Sequence, residues 1–154
     1  MSRLSIASLL LFASTVVAQP PAKFALSADE TKILQLANEA RTKENLGPLT
    51  ASPLLTEIAR AHSKNQAKQD KMAHELDGKN PGDRIKAAGY AFRAYGENVA
   101  YGQNVTLENI FEGWMKSPPH RANILKSDFT EIGIGVAGND AKKIYYTQVF
   151  GRPK

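Results

Sequence analysis

The chain contains no cysteine in its 154 residues. This absence excludes structural disulfides, thiol nucleophiles, thiolate metal sites and lipid-modified cysteines. The sequence also has no HExxH motif, no GxSxG motif and no phosphate-binding glycine loop, so the corresponding hydrolase and nucleotide-binding classes have no direct support. The formal net charge of +5 is a mild excess, and the lysines and arginines are not interleaved with aromatic residues. This pattern argues against a nucleic-acid partner.

The most apolar stretch lies at the N-terminus. Arg3 precedes the apolar residues 4–17, and Val16 and Ala18 place small residues at the −3 and −1 positions of a cleavage site. We therefore predict a signal peptide over residues 1–18 and secretion to the periplasm or the cell exterior. The run is shorter than the roughly 20 residues of a membrane span, and no later segment is as apolar, so we expect no transmembrane segment in the mature chain.

Helical periodicity dominates the chain after a flexible mature N-terminus, which we predict over residues 19–27. A capping box of Ser27 and Glu30 begins a first helix, and two further substantial helices are indicated by apolar residues at helical spacing. Trp114 lies on the apolar stripe of the last of these helices, which predicts a core residue. The final quarter alternates between apolar and small residues and predicts an antiparallel hairpin. Helices followed by a hairpin indicate a single domain of the α+β class.

Three histidines supply every imidazole in the sequence. His62 lies within a predicted helix, where we interpret it as an ordinary helical side chain. His74 follows a helix in a loop. His120 directly follows Pro118 and Pro119, whose rings end one helix and place the histidine near the start of a new turn. Functional groups tend to lie on loops carried by a rigid scaffold, so His74 and His120 are candidate site residues.

Glu97 is the third candidate, because it lies between Gly96 and Asn98 where amphipathic patterning predicts no carboxylate. Two imidazoles and one carboxylate suit zinc or another divalent cation with an open position for water. The same trio without a metal can form a hydrogen-bonded network around a polar cavity. The residues alone favour neither interpretation, and they identify no required cofactor.

Four sequence blocks, in a fixed order, cover nearly the whole mature chain: MAHELDGKNPGDRIKAAGY, GENVAYG, GWMKSPPHRANILKSDFTEIGIGVA and YYTQVFG. Together they resemble the bacterial, cysteine-free short form of the CAP superfamily. This superfamily comprises the SCP-like extracellular proteins, which are related to cysteine-rich secretory proteins, antigen 5 and plant pathogenesis-related proteins. The resemblance implies one domain over residues 28–151, built as an α-β-α sandwich with a central antiparallel sheet flanked by helices.

In that family two histidines and two glutamates line a central cavity. The resemblance places His74 and His120 at the histidine positions and Glu97, in the GEN motif, at one glutamate position. Ser117 stands where the family pattern has its second glutamate. A hydroxyl contributes no full charge, so this departure should weaken the binding of a divalent cation such as zinc. The nearest acidic substitutes in the sequence are Glu75 and Glu131.

Three functional hypotheses follow, and the resemblance fixes none of them. The first is a secreted, non-catalytic binding module whose polar His/Glu cavity takes a lipid, another small ligand or a divalent cation. The alternative is a protease-like, metal-assisted hydrolase in which His74 and His120 hold the ion and Glu97 ligates it or activates water. A third hypothesis gives the trio a purely architectural role. No feature indicates an oligomer, so we expect a monomer.

Overall fold

Five helices and four strands follow one another along residues 24–154, the part of the chain that the structure, a computed structural model, describes. The predicted signal peptide and most of the predicted flexible N-terminus lie outside the described residues. The elements are α1 (Ala28–Lys43), β1 (Thr50–Ala51), α2 (Pro53–Gln69), α3 (Pro81–Ala87), β2 (Phe92–Gly102), α4 (Leu107–Lys116), α5 (Pro118–Ile124), β3 (Glu131–Gly138) and β4 (Ile144–Pro153). The capping box of Ser27 and Glu30 is present at the start of α1, which confirms that prediction.

The four strands form one sheet in the order β1-β3-β4-β2. β4 pairs antiparallel with both β3 and β2, whereas the two-residue strand β1 pairs in parallel with β3. The predicted hairpin and the α+β class are therefore confirmed. β1 could not be predicted from its sequence, because two residues are too few to show an alternating pattern.

Helices cover both faces of the sheet, and each face has its own apolar cluster. On one face α2 and α3 pack Leu55, Ile58 and Ile85 against Val149. On the other face α1, α4 and α5 pack against β3 and β4, with Trp114 only 2% exposed, as predicted. This arrangement is the α-β-α sandwich that the family resemblance implies. The main buried residues of the second cluster are Ile33, Ala37, Ile110, Phe111, Trp114, Ile124, Phe129, Ile132 and Phe150.

α2 lies directly on two glycines of β3. A Cβ atom added to Gly133 would stand 2.0 Å from the carbonyl carbon of Leu55, and one added to Gly135 would stand 2.3 Å from that of Ala59. Real Cβ atoms do not approach backbone atoms this closely, so only glycine permits this spacing between helix and strand. The two glycines thereby fix the position of α2 and of every side chain that it carries.

Arg41 ties α1 to the segment between α5 and β3. Its side chain is 1% exposed, and its guanidinium donates four hydrogen bonds of 2.7 to 3.2 Å to backbone carbonyl oxygens. Because these carbonyls belong to the loop after α1, the end of α5 and the loop after α5, one side chain holds these three segments together. The four acceptors are the carbonyls of Gly47, Ile124, Lys126 and Phe129.

β2 is an edge strand, and side chains donate hydrogen bonds to two of its outward carbonyl oxygens. Asn123 donates from Nδ2 to the carbonyl oxygen of Glu97 at 3.1 Å, and Trp114 donates from Nε1 to that of Val99 at 3.1 Å. The first donor comes from α5 and the second from α4. Both helices are therefore anchored to the edge of the sheet at the strand that carries Glu97.

Candidate functional site

The candidate site is built around Glu97 in β2, whose side chain is 2% exposed. His74, on the loop between α2 and α3, places its Nδ1 atom 2.8 Å from Oε1 of Glu97. The His74 side chain is 51% exposed, so one side of the imidazole faces the carboxylate and the rest of the ring is open to solvent. The structure thus joins two of the predicted site residues in a direct hydrogen bond.

Arg84 engages the second oxygen of the same carboxylate. Its Nη2 atom forms an ion pair with Oε2 of Glu97, while Nη1 donates to the carbonyl oxygens of His74 and Lys79 at 2.8 and 2.9 Å. Arg84 therefore fixes both the carboxylate and the loop that carries His74. Arg84 was not among the residues predicted from the sequence, although it lies within the first of the four sequence blocks, because an arginine on a short helix usually points to solvent.

The pairing with Glu97 sets the tautomer of His74. A carboxylate only accepts hydrogen bonds, so Nδ1 of His74 must carry the hydrogen. In the neutral ring the lone pair is then on Nε2, which points away from Glu97. A carboxylate that orients a histidine in this way is the usual support of an imidazole that binds a metal ion or accepts a hydrogen bond from a ligand.

His120 lies in the first turn of α5 and is half-buried. Burial lowers the pKa of His120, and the charge of the nearby His74 lowers it further. Two side-chain amides hold α5 in place: Asn98 donates to the carbonyl oxygen of His120, and Asn123 donates to Oδ1 of Asn98 at 2.9 Å. These contacts tie the backbone of His120 to the strand that carries Glu97.

His62 belongs to the same network, although it was not among the predicted site residues. Its side chain is 1% exposed, and Nε2 lies 2.8 Å from the carbonyl oxygen of Ala73 and 3.9 Å from Oε1 of Glu97. A carbonyl only accepts, so Nε2 carries the hydrogen and His62 supports the residue directly before His74. Burial lowers the pKa of His62 and outweighs the attraction of Glu97, while the charge of Arg84 adds to the lowering.

The two lowered pKa values predict a loss of stability in mild acid. Below pH of about 6.5, the ordinary histidine pKa, the unfolded chain binds more protons than the folded chain, so the free energy of unfolding falls as the pH falls. Above that pH this contribution is constant. Each histidine can add a slope of up to about 1.4 kcal/mol per pH unit.

Urea unfolding between pH 7.5 and 5 measures this slope. The matched variant is His62→Gln, whose amide nitrogen can still donate to the carbonyl of Ala73 but does not titrate. We expect a shallower loss of stability in this variant than in the wild type. Equal slopes in the two proteins would show that His62 is not held neutral by its surroundings.

Comparison with known proteins identifies the family to which the chain belongs. The sequence profile described as the cysteine-rich secretory protein family, CAP, matches residues 34–150, which is most of the chain. The chain belongs to the CAP family. The resemblance inferred from the four sequence blocks is thereby confirmed.

Several bacterial proteins are similar to this CAP chain. The uncharacterized protein YkwD of Bacillus subtilis is 35% identical over 128 residues, which cover 82% of this chain and 49% of YkwD. An extracellular protein of Bacillus anthracis that contains an SCP domain is 28% identical, with a TM-score of 0.73 over 84% of this chain and 45% of that protein. An outer surface protein of Borrelia burgdorferi, at 23% identity, shows the same fold with a TM-score of 0.78 over 86% of this chain and 98% of that protein.

The CAP chain described here spans about half the length of YkwD and of the Bacillus anthracis protein. Its structural neighbours include extracellular proteins. Within residues 24–154, no helix combines the length and the apolar character that crossing a membrane requires.

The second glutamate of the CAP cavity pattern has no replacement among the two sequence neighbours. Glu75 is exposed, and the carboxylate of Glu131 accepts a hydrogen bond of 2.8 Å from the hydroxyl of Tyr90. Ser117 begins α5 without a side-chain hydrogen bond to the helix. Arg84, rather than a second carboxylate, is therefore the charged partner that completes the site around Glu97.

The described residues offer a metal ion few protein ligands. Over residues 24–154, no group of three or more histidine, aspartate or glutamate side chains is arranged to hold a metal ion. Both oxygens of Glu97 are occupied by His74 and Arg84. A divalent cation would therefore depend on the two imidazoles of His74 and His120, with water or a ligand completing its coordination.

Proposed function

We propose that this CAP protein is a secreted, non-catalytic binding domain in which His74 and His120 supply nitrogen donors to a small ligand or a divalent cation such as zinc. The observation that carries the proposal is the double engagement of Glu97. With one oxygen on His74, the other on Arg84 and the side chain only 2% exposed, this carboxylate orients an imidazole and is shielded from water.

The alternative, a metal-assisted hydrolase, needs a general base within hydrogen-bond reach of a bound water. Glu97 could act as this base only if water reached a carboxylate that is 2% exposed and already accepts hydrogen bonds from His74 and Arg84. Ser117 offers no activated nucleophile either, since no described contact joins its hydroxyl to a base. The geometry therefore supports binding better than hydrolysis.

Two imidazoles are donors of the kind that zinc accepts, and we expect modest affinity because no third protein ligand joins them among the described residues. Imidazole nitrogen is a common zinc ligand, and Glu97 would act behind His74 as the supporting carboxylate. NaASP2, a structural neighbour with a TM-score of 0.58 and 12% identity, has been solved with zinc, although a similarity at this level shows the fold alone. Zinc bound by two protein nitrogens would keep open positions for a ligand.

A groove beside Arg84 supports the binding of a small apolar ligand. It lies between α2 and α3 and has a volume of about 310 Å³. This size is near the lower limit of ordinary ligand pockets. Lys79, Arg84 and Glu57 place charges of both signs on its wall, so a short aliphatic molecule with a polar end group would fit its chemistry. The aliphatic lining consists of Leu54, Ile58, Ala61, Ala87 and Ala88.

Titration calorimetry with zinc tests the proposed donors. We expect His74→Ala and His120→Ala each to weaken zinc binding at least tenfold, and the double variant to show none. Ser117→Glu should strengthen binding, because it returns a carboxylate to the position that the family pattern occupies with glutamate.

Two outcomes would contradict the proposal. An unchanged zinc affinity in the double variant would show that the two histidines are not the zinc ligands. Turnover of a defined substrate that is lost in His120→Ala, while the circular dichroism spectrum is retained, would show that the domain is catalytic.

A further inference from the structure

A lysine-rich surface lies at one end of the sheet, where α2 and β2 finish and the chain turns from β3 into β4. We call this surface the basic end. Four of its five lysines are exposed, and the fifth, Lys143, is half-buried and paired with Asp70 at 3.0 Å. The basic end consists of Lys64, Lys68, Lys71, Lys142 and Lys143.

Contacts between the three segments show that they share one surface. Asp70, at the end of α2, accepts hydrogen bonds from Asn139 in the hairpin turn at 2.9 Å and from the hydroxyl of Tyr145 in β4 at 2.6 Å. Gln103, just after β2, donates to the carbonyl oxygen of Ala141 in the same turn at 2.8 Å. The lysines are therefore carried on a surface with a fixed shape.

Most of the net charge of the described chain lies at this end. Its five lysines face Asp70, Asp140 and Asp77, the last of which accepts hydrogen bonds from Asn65 and Gln69 on α2, so an excess of two positive charges remains. Residues 24–154 as a whole contain 18 lysines and arginines against 15 aspartates and glutamates, an excess of three. The remaining described surface therefore carries one net positive charge.

Exposed apolar side chains accompany these lysines. Tyr101 is 52% exposed and stacks on Tyr145 with ring centroids 6.0 Å apart, and the Nζ atom of Lys143 lies 5.9 Å from the centre of the Tyr101 ring. Val105 is 45% exposed and packs beside Gly102. Met72 is 44% exposed, on the segment that leaves α2. Over residues 24–154, five large apolar side chains are exposed to solvent, and these are three of them.

We propose that the basic end is a docking surface for a membrane that contains anionic phospholipids. Lysines attract the phosphate groups of such a membrane, and tyrosine and aliphatic side chains enter the boundary between head groups and acyl chains. A depression of about 370 Å³ offers room for a head group, and its charged lining consists of two lysines, Lys64 and Lys68, against one carboxylate, Asp140. A soluble polyanion would use the lysines but would gain nothing from Tyr101, Val105 and Met72, so the combination favours a lipid surface.

Vesicle co-sedimentation tests this docking surface. The wild type should bind vesicles of equal parts phosphatidylglycerol and phosphatidylcholine at least tenfold more strongly than vesicles of phosphatidylcholine alone, and the preference should weaken with added salt. The triple variant Lys64→Gln, Lys68→Gln, Lys142→Gln should bind the anionic vesicles at least tenfold more weakly. Tyr101→Ser with Val105→Ser should also weaken binding, by roughly fivefold or more.

The matched control removes the same charge elsewhere: Lys86→Gln, Arg93→Gln, Lys154→Gln. This control should bind the anionic vesicles within about threefold of the wild type. All variants have the same length, so the N-terminal segment contributes equally to each measurement. His74→Ala with His120→Ala should bind vesicles normally, which separates this surface from the proposed histidine site.

Three results would overturn the proposal. The first is equal binding of the wild type to both kinds of vesicle. The second is equal loss of binding in the two triple variants, which would mean that only net charge matters. The third is full vesicle binding by the Tyr101→Ser, Val105→Ser variant together with complete competition by soluble polyphosphate, which would assign the surface to polyanions instead of membranes.

Discussion

Replacing Gly133 by alanine should destabilise the protein by about 3 kcal/mol or more, because the new methyl group meets helix backbone rather than a side chain that can turn away. The added Cβ would lie 2.0 to 2.3 Å from the Leu55 carbonyl group and the Thr56 nitrogen. Ordinary contacts begin near 3.4 Å, so α2 would have to move away from the sheet by more than an ångström. Loss of this size is a large part of the stability of a typical domain.

Urea unfolding measures the effect, and two other glycines provide controls. A Cβ on Gly138, in the same strand, would lie 3.7 Å from its nearest neighbour, the Lys143 carbonyl oxygen, so Gly138→Ala should cost less than about 1 kcal/mol. Nothing lies within 4 Å of a Cβ on Gly113 in α4, so Gly113→Ala should stabilise the protein by about 0.5 to 1 kcal/mol. A Gly133→Ala variant as stable as Gly138→Ala would contradict the close contact between α2 and β3.

Replacing Arg41 by methionine should cost about 3 to 5 kcal/mol. Methionine has a similar reach but no donor, so four buried or partly buried carbonyl oxygens would lose their shared partner. The last residue of α5 accepts one of these bonds and the loop after α5 accepts two. The nuclear magnetic resonance signals of His120 should therefore shift along with the loss of stability.

Arg121→Met is the matched control for this prediction. The Arg121 side chain is 48% exposed and pairs with Glu44 on the surface, so its loss should cost at most about 1 kcal/mol. Arg41→Lys should fall between the two methionine variants, since lysine keeps the charge but cannot reproduce the planar set of donors. Similar stabilities for Arg41→Met and Arg121→Met would show that the carbonyl cluster contributes little.

Local patterns were sufficient to predict much of this fold. Two of these patterns depend only on residues that are close together in the sequence: the capping box of Ser27 and Glu30, and the alternation in the final hairpin. The structure contains both. The same is true of Pro118 and Pro119, which end one helix and begin the next, so that His120 lies in a first helical turn. Loop position and local patterning made His74 and Glu97 candidates, the four-block resemblance assigned both to the family cavity, and the hydrogen bond between them lies at the centre of the site.

The roles of three charged or titratable residues could not be predicted, because they depend on distant partners. Arg41 follows the buried stripe of α1 at Ile33 and Ala37, but its charge indicates an exposed position until the carbonyls of a segment more than eighty residues away are known. His62 and Arg84 raise the same difficulty. His62 is buried and Arg84 half-buried by contacts with the loop around His74 and with Glu97, and no periodicity in α2 or α3 reveals those contacts.

The side chains that cover the edge of β2 have a consequence for association between molecules. An uncovered edge strand invites a strand from another copy to extend the sheet, which is a common route to aggregation and domain swapping. At Glu97 and Val99 the outward carbonyls already accept hydrogen bonds from Asn123 and Trp114. A second chain would have to displace two helices to reach them, so the strand that carries the candidate site is protected from the self-association that its position would otherwise favour.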